Sequence, residues 1–211
     1  MSIKRYLGFS VWTAIDRNVA NLYFLLPVVL TGIYVSTAEV TYFKLAFGYL
    51  NLALSLLGPI SVLLNVEFPK MKIENTRNLS RNFVKVSLYS TFLSALLSVG
   101  VVVIASRVFK ILYGPSFLPG VPLVGGLLIY GALFGIGVGL GPMWRAINRV
   151  KTSILINAVV LGAGIPFGLF LIKKFGVWGA VAMVTLWVTI SHFISFFYLA
   201  RTLKKYEKTF A

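Results

Sequence analysis

VPLVGGLLIYGALFGIGVGLGPM, residues 121–143, carries no charge and is long enough to cross a bilayer as one helix. Seven of its 23 residues are glycine. In water such a helix is poor, because each interior glycine costs about 1 kcal/mol relative to alanine. In lipid the same residues are useful. Gly131, Gly135 and Gly139 recur every four residues, so on a helix they fall along one side, where the missing side chains let a neighbouring backbone come close. The expectation is a central membrane helix packed on several others. The plainer alternative is a glycine-rich dimer face.

The rest of the chain supports a membrane setting. Of its 211 residues, 58% are hydrophobic and 12% charged, with a mean hydropathy of +0.90. A soluble domain carries about a quarter charged residues. There is no cysteine, which excludes disulfides and thiolate metal sites. A net charge of +15 raises nucleic acid as a partner. The basic residues stand in short clusters between apolar runs, however, which is the pattern of membrane flanks, and no nucleic-acid surface is expected.

Working outward, we read an all-α membrane protein, a single transmembrane domain of about six helices. The expected spans are about 8–30, 34–66, 84–106, 121–143, 152–172 and 177–200. The first has two readings: 8–30 with Asp16 and Arg17 inside the membrane, or 18–37 with both at its start and Pro27 interior. Gly58-Pro59 is expected to kink or break the second. Residues 67–85, EFPKMKIENTRNLSRNFVK, read as a polar, basic loop, with a surface helix as the alternative. With the N-terminus inside, 14 of the 20 Lys and Arg fall on the inner side. They are Lys4, Arg5, Lys70, Lys72, Arg77, Arg81, Lys85, Arg145, Arg149, Lys151, Arg201, Lys204, Lys205 and Lys208. That asymmetry predicts a multi-pass protein of the cytoplasmic (plasma) membrane, surrounded by membrane lipids, with both termini cytoplasmic.

Polar residues within the spans are the candidates for function. Thr37, Thr41, Lys44, Gly48, Asn51 and Ser55 form one helical stripe. Ser87, Thr91, Ser94 and Ser98 form a second, and Thr185, Thr189 and His192 a third. Three stripes suggest a hydrated cavity lined by the second, third and sixth spans. For the third span, hydrogen bonding between helices by Ser is the favoured alternative. Lys44 with Asn51 favours a cavity at the second, since a charge at mid-membrane usually faces a wet interior. Asp16 and Arg17 are either intramembrane, with Arg17 sharing a face with Asn21, or an ordinary helix start. Glu39 reads as a loop charge in preference to an ion site. His192 reads as a packing residue in preference to a proton relay.

Enzyme signatures are absent. No two carboxylates are spaced for acid–base work, and there is no metal-ligand cluster, phosphate loop or nucleophile elbow, so neither cofactor nor catalytic residue is expected. The order of short motifs resembles a family. Asp16-Arg17 precedes an apolar run, and Gly32-Ile33-Tyr34 opens the next helix. Phe68-Pro69-Lys70 leads a basic segment, and Leu112-Tyr113-Gly114-Pro115-Ser116-Phe117 follows the third span. Asn148-Arg149-Val150-Lys151 follows the fourth, and Phe175-Gly176-Val177-Trp178-Gly179-Ala180 opens the last. Over about residues 5–200 this is similar to the second six-helix half of polysaccharide and O-antigen (Wzx-type) flippases of the multidrug/oligosaccharidyl-lipid/polysaccharide transporter superfamily.

The resemblance implies one lobe of a two-lobe flippase that moves lipid-linked oligosaccharide across the cytoplasmic membrane by alternating access. It implies a cationic cavity for the phosphate headgroup, with Arg17, Lys44 and, in a second rank, Arg145 and Arg149 as its cations; for the last two, a role as positive-inside anchors is the favoured alternative. Such proteins have twelve or more helices, so a second six-helix lobe, another chain or a second copy, is an expected partner. The alternatives are a membrane structural or interaction subunit without transport, or an unrelated small six-helix carrier.

Overall fold

The computed structural model describes residues 3–74 and 76–210, with side chains described for 10–74 and 77–208. The side chains of Lys4 and Arg5, counted above, lie outside the described residues. Described residues form nine helices and short 3-10 turns, with no strand among them. These are α1 (Ile3–Thr31), α2 (Thr37–Leu54), α3 (Gly58–Glu74), α4 (Leu79–Leu112), α5 (Val121–Gly126), α6 (Leu128–Phe134), α7 (Leu140–Ala146), α8 (Val150–Phe175) and α9 (Val177–Phe210). The protein is an all-α membrane bundle.

Four segments are long and apolar enough to cross a bilayer: Thr37–Glu74, α4, α8 and Val177–Lys208. The bent pair Pro115–Gly126 and Leu128–Ala146 makes a fifth if it is one span. α1, expected as the first of six, is not among them, and its middle holds Asp16, Arg17, Asn18 and Asn21. It is nonetheless one unbroken helix through Pro27, and it stops at Thr31, so no helix runs over 18–37. The Gly32-Ile33-Tyr34 motif lies in the turn after it. α2 opens at Ser36, whose side chain and that of Glu39 form a reciprocal capping box. Glu39 is thus the residue that starts a helix, as Ser-x-x-Glu does elsewhere.

The expected kink at Gly58-Pro59 appears as a 3-10 turn over Ser55–Leu57, and the helix resumes at Gly58. The basic loop expected over 67–85 is a correction. α3 continues to Glu74, and α4 begins at Leu79 after the short turn Thr76–Asn78. Glu, Lys and Met are good helix formers, so polarity there marks the exit from lipid without ending the helix. At 34 residues each, α4 and α9 reach roughly 51 Å, well beyond a hydrocarbon core of about 30 Å. Their basic ends meet. Glu207 of α9 accepts the Ser80 backbone N–H at 2.7 Å, occupying a donor in the first turn of α4. Lys72 Nζ donates to the Ala146 carbonyl at 3.0 Å, closing the end of α7.

The glycine-rich stretch is also a correction. It is central, but it is not one helix. It bends by 53° at Leu127 and tightens to 3-10 over Gly135–Gly139 before α7 resumes. Gly135, Gly137, Gly139 and Gly141 remove four side chains from seven positions, which weakens the α-helical backbone there. The side chosen by the glycines is the one expected. A methyl group on Gly131 would overlap Ser98, and one on Gly135 would overlap the Ser90 carbonyl and Ser94. Gly139 faces Val86 and Phe83 at ordinary contact distance, 3.7–3.8 Å. All three therefore face α4. There Ser94 Oγ donates to the Ala132 carbonyl (2.7 Å) and accepts the Gly135 N–H (3.1 Å). The stripe of the third span is therefore a packing seam, buried at Ser87, Ser94 and Ser98 with Thr91 half-buried, and Ser90 beside it is buried too.

A second seam joins α8 to α9. Gly176 turns the chain at φ 57°, a conformation that glycine adopts at no steric cost, and Gly179 lies against the Leu171 carbonyl. Further along, Gly164 and Gly168 leave room for Trp187 and Met183. We expect Gly135→Ala to destabilise the bundle by on the order of 2 kcal/mol, because the obstructing atoms are backbone and cannot rotate away. Gly100→Ala, where an added methyl meets nothing within 4 Å, is expected to be neutral or stabilising. Thermal melting of the two purified variants in one detergent checks this, and equal melting would remove the seam argument.

Candidate functional site

A cavity of about 530 Å³ lies between α1, the Ser55–Leu57 turn with α3, the Gly135–Gly139 turn with α7, α8 and α9. It is not the one expected between the second, third and sixth spans, because the serine face of α4 is occupied by its seam. Five polar residues singled out in the sequence line it: Asp16, Arg17, Ser55, Arg145 and His192. Asn21, Lys44, Asn51 and Arg149 do not. Asn21 is exposed on α1, and Lys44 is exposed on α2, away from the lining. Asn51 accepts the Tyr130 hydroxyl at 2.6 Å, so it ties α2 to α6 as packing. Arg149 donates to the Tyr198 hydroxyl at 3.0 Å, on a different face of α9.

The charged part of the cavity is Asp16, Arg17 and Arg145. Asp16 is 8% exposed and lines the cavity together with Ser153. Arg145 lies within coulombic reach of both Asp16 and Arg17. Its position is fixed twice. Nε donates to Asn65 Oδ1 at 2.8 Å, and the helix that carries it is closed by Lys72. Gly141, one turn earlier, gives the guanidinium room to fold back, since a methyl there would come within 3.2 Å of it. One carboxylate against two guanidiniums leaves a surplus positive charge on the wall. A buried carboxylate needs such a partner, because an isolated charge in an apolar interior is costly.

The uncharged part is a polar network deeper in the bundle. Ser191 Oγ donates to Asn157 Oδ1 at 2.6 Å, and Asn157 Nδ2 donates to the Ser153 carbonyl at 3.0 Å. The Tyr23 hydroxyl donates to the Asn157 carbonyl at 3.5 Å. Ser61 and Ser195 also line the space. His192 packs its ring against Gly137, with Nδ1 3.5 Å from the Leu133 carbonyl. The 3-10 stretch thus places a glycine where a helix passing the histidine would need one.

Asn65, Ser153, Asn157, Ser191 and Ser195 were absent from the sequence candidates. Their signal was present as polar pairs four apart in apolar spans: Ser61 and Asn65, Ser153 and Asn157, Ser191 and Ser195. Chemically, the site offers cations for an anion, and amide and hydroxyl groups that both donate and accept, as a sugar requires. Its volume falls within the range of small-molecule sites.

Among known protein families, the one described as polysaccharide biosynthesis protein matches residues 1–122, more than half of the chain. The match covers α1 to α4 and so includes Asp16, Arg17 and Asn65. No curated protein and no solved structure matches the chain. We expect a cysteine at Ser61 to react with a charged, membrane-impermeant thiol reagent in open membrane fragments, because it lines a cavity rich in charged and polar groups. A cysteine at Ser87, buried in the seam and without a hydrogen-bond partner among the described residues, should stay unlabelled. The native chain has no cysteine to confuse the result. Equal labelling would mean that cavity and seam do not differ in hydration.

Proposed function

We propose, for a chain that belongs to the polysaccharide biosynthesis protein family, that its part in that process is to carry a lipid-linked oligosaccharide across the cytoplasmic membrane. The observation that supports this most directly is the cavity wall where Asp16, Arg17 and Arg145 meet. A surplus cation beside a polar network suits a phosphorylated headgroup followed by sugars. Arg145 takes the phosphate. Its guanidinium forks toward anionic oxygens, and Asn65 holds it against the pull of Asp16. The Ser and Asn side chains exchange hydrogen bonds with sugar hydroxyls, and the lipid tail stays in the bilayer.

The basic end is cytoplasmic by the positive-inside rule. Translocation then proceeds by alternating access, with this bundle as one lobe and a second six-helix lobe facing the Arg17 side of the cavity. The broken span contributes by construction. Its 3-10 segment against His192 is a place where the span can flex, because the α-helical ladder is already interrupted there.

Arg145→Ala is expected to lower glycan export at least tenfold at normal expression, since a hydrogen bond to a charged group is worth about 1.5–3 kcal/mol. Lys173→Ala, which removes a cation far from the cavity, should export normally. Surface glycan in cells dependent on this chain is the readout, and normal export by Arg145→Ala would remove the arginine from the pathway. Native mass after mild detergent extraction tests the second lobe. A second multi-span chain or a second copy is expected, and a lone chain would end the two-lobe proposal.

A further inference from the structure

α9 has two lined faces. One carries Ser191, His192 and Ser195 to the polar cavity. The other borders a separate groove of about 1050 Å³ at the basic end, closed on its far side by the turn between α7 and α8. The two cavities share no lining residue. Along the groove, Phe193, Phe197, Arg201 and Lys205 follow one another in steps of four, so they form one line on the helix. Phe193 and Phe197 stack at 6.1 Å. The line changes from aromatic to cationic where α9 leaves the apolar span. From the opposite wall, Arg149 reaches over and donates to Tyr198. The left-handed turn at Asn148 (φ 56°) sets it there.

We infer that this groove holds one anionic glycerophospholipid of the surrounding membrane, with its phosphate between Arg149, Arg201 and Lys205 and an acyl chain along Phe193 and Phe197. Charge complementarity selects the occupant. Three cations at the mouth of an apolar trough match an anion carrying a hydrocarbon chain, and basic pockets at this depth are where anionic headgroups bind. A zwitterionic lipid brings a cation of its own to a mouth that is already cationic, and a bare anion makes no use of the aromatic half. Arg201 and Lys205 are exposed at the mouth of the groove, within reach of a lipid headgroup.

The test uses the full chain in detergent, titrated with phosphatidylglycerol or phosphatidylcholine and read by native mass spectrometry. One phosphatidylglycerol is expected to stay bound at collision energies that strip phosphatidylcholine. Arg201→Gln with Lys205→Gln is expected to weaken that binding roughly thirtyfold, as two cations at about 1 kcal/mol each predict. Arg201→Lys with Lys205→Arg keeps both charges and should bind as the native chain does, which separates charge from folding. Equal retention of the two lipids, or unchanged retention in the glutamine variant, overturns the inference. So does a second copy of the chain in place of lipid. Two competitors distinguish other sources of the same chemistry. Displacement by equimolar decaprenyl phosphate would assign the groove to the transport substrate, and displacement by inorganic phosphate would reduce it to an anion site, and either overturns it. Because no cavity residue is touched, export by the glutamine variant and by Arg145→Ala reports separately on the two sites.

Discussion

The bundle depends on how closely the glycine-rich span approaches α4. In lipid, apolar side chains gain little by leaving one hydrocarbon surface for another, so helices associate through close packing and hydrogen bonds. Gly131 and Gly135 supply the closeness, and Ser94 supplies bonds to the Ala132 carbonyl and the Gly135 N–H. The same glycines that permit the contact weaken the helix that makes it. The 3-10 turn over Gly135–Gly139 is the local result, and Ser94 satisfies backbone groups where the ladder is disturbed. A break in mid-membrane is tolerable only where protein covers it, and α4 does so.

From that seam the placement of the cavity follows. With α4 occupied on one side, the opposite side of the broken span faces α1, α3, α8 and α9. Gly137 points that way and admits His192, and Gly141 admits the Arg145 guanidinium. The cavity is therefore the space left where small residues replaced a helix surface. Its polar groups come from five separate segments, and two of them are held by a neighbour on another: Arg145 by Asn65 and Asn157 by Ser191. Such cross-bracing keeps charged and polar groups in a fixed arrangement in a medium that penalises them when they stand alone.

α9 connects this site to the membrane. It is a wall of the polar cavity on one face and of the basic groove on the other, and it reaches past the bilayer to seat Glu207 on the first turn of α4. The basic residues of the inner side thus have unequal duties. Lys72 closes α7, Arg145 faces the cavity, and Arg149, Arg201 and Lys205 line the groove. A rule that counts them equally orients the protein but does not separate anchors from site residues.

The sequence by itself determined the all-α membrane class, the glycine face and the serine seam, because these are repeats within one segment: apolar length, and spacing of three or four on a helix. It also held the Ser36-x-x-Glu39 cap and the polar pairs around Ser153 and Ser191. Only the tertiary structure decided which stripes meet. Lys44 and Asn51 share a face with the right spacing for a cavity wall, yet α6 takes Asn51 through Tyr130 and Lys44 faces away. Asp16 and Arg145 are 129 positions apart, and nothing local in either segment announces that they will share a wall. Helical periodicity tells which residues of one helix look the same way, and it says nothing about what stands opposite. That is set by the packing of backbones at the glycines, a property of pairs of helices that no single segment contains.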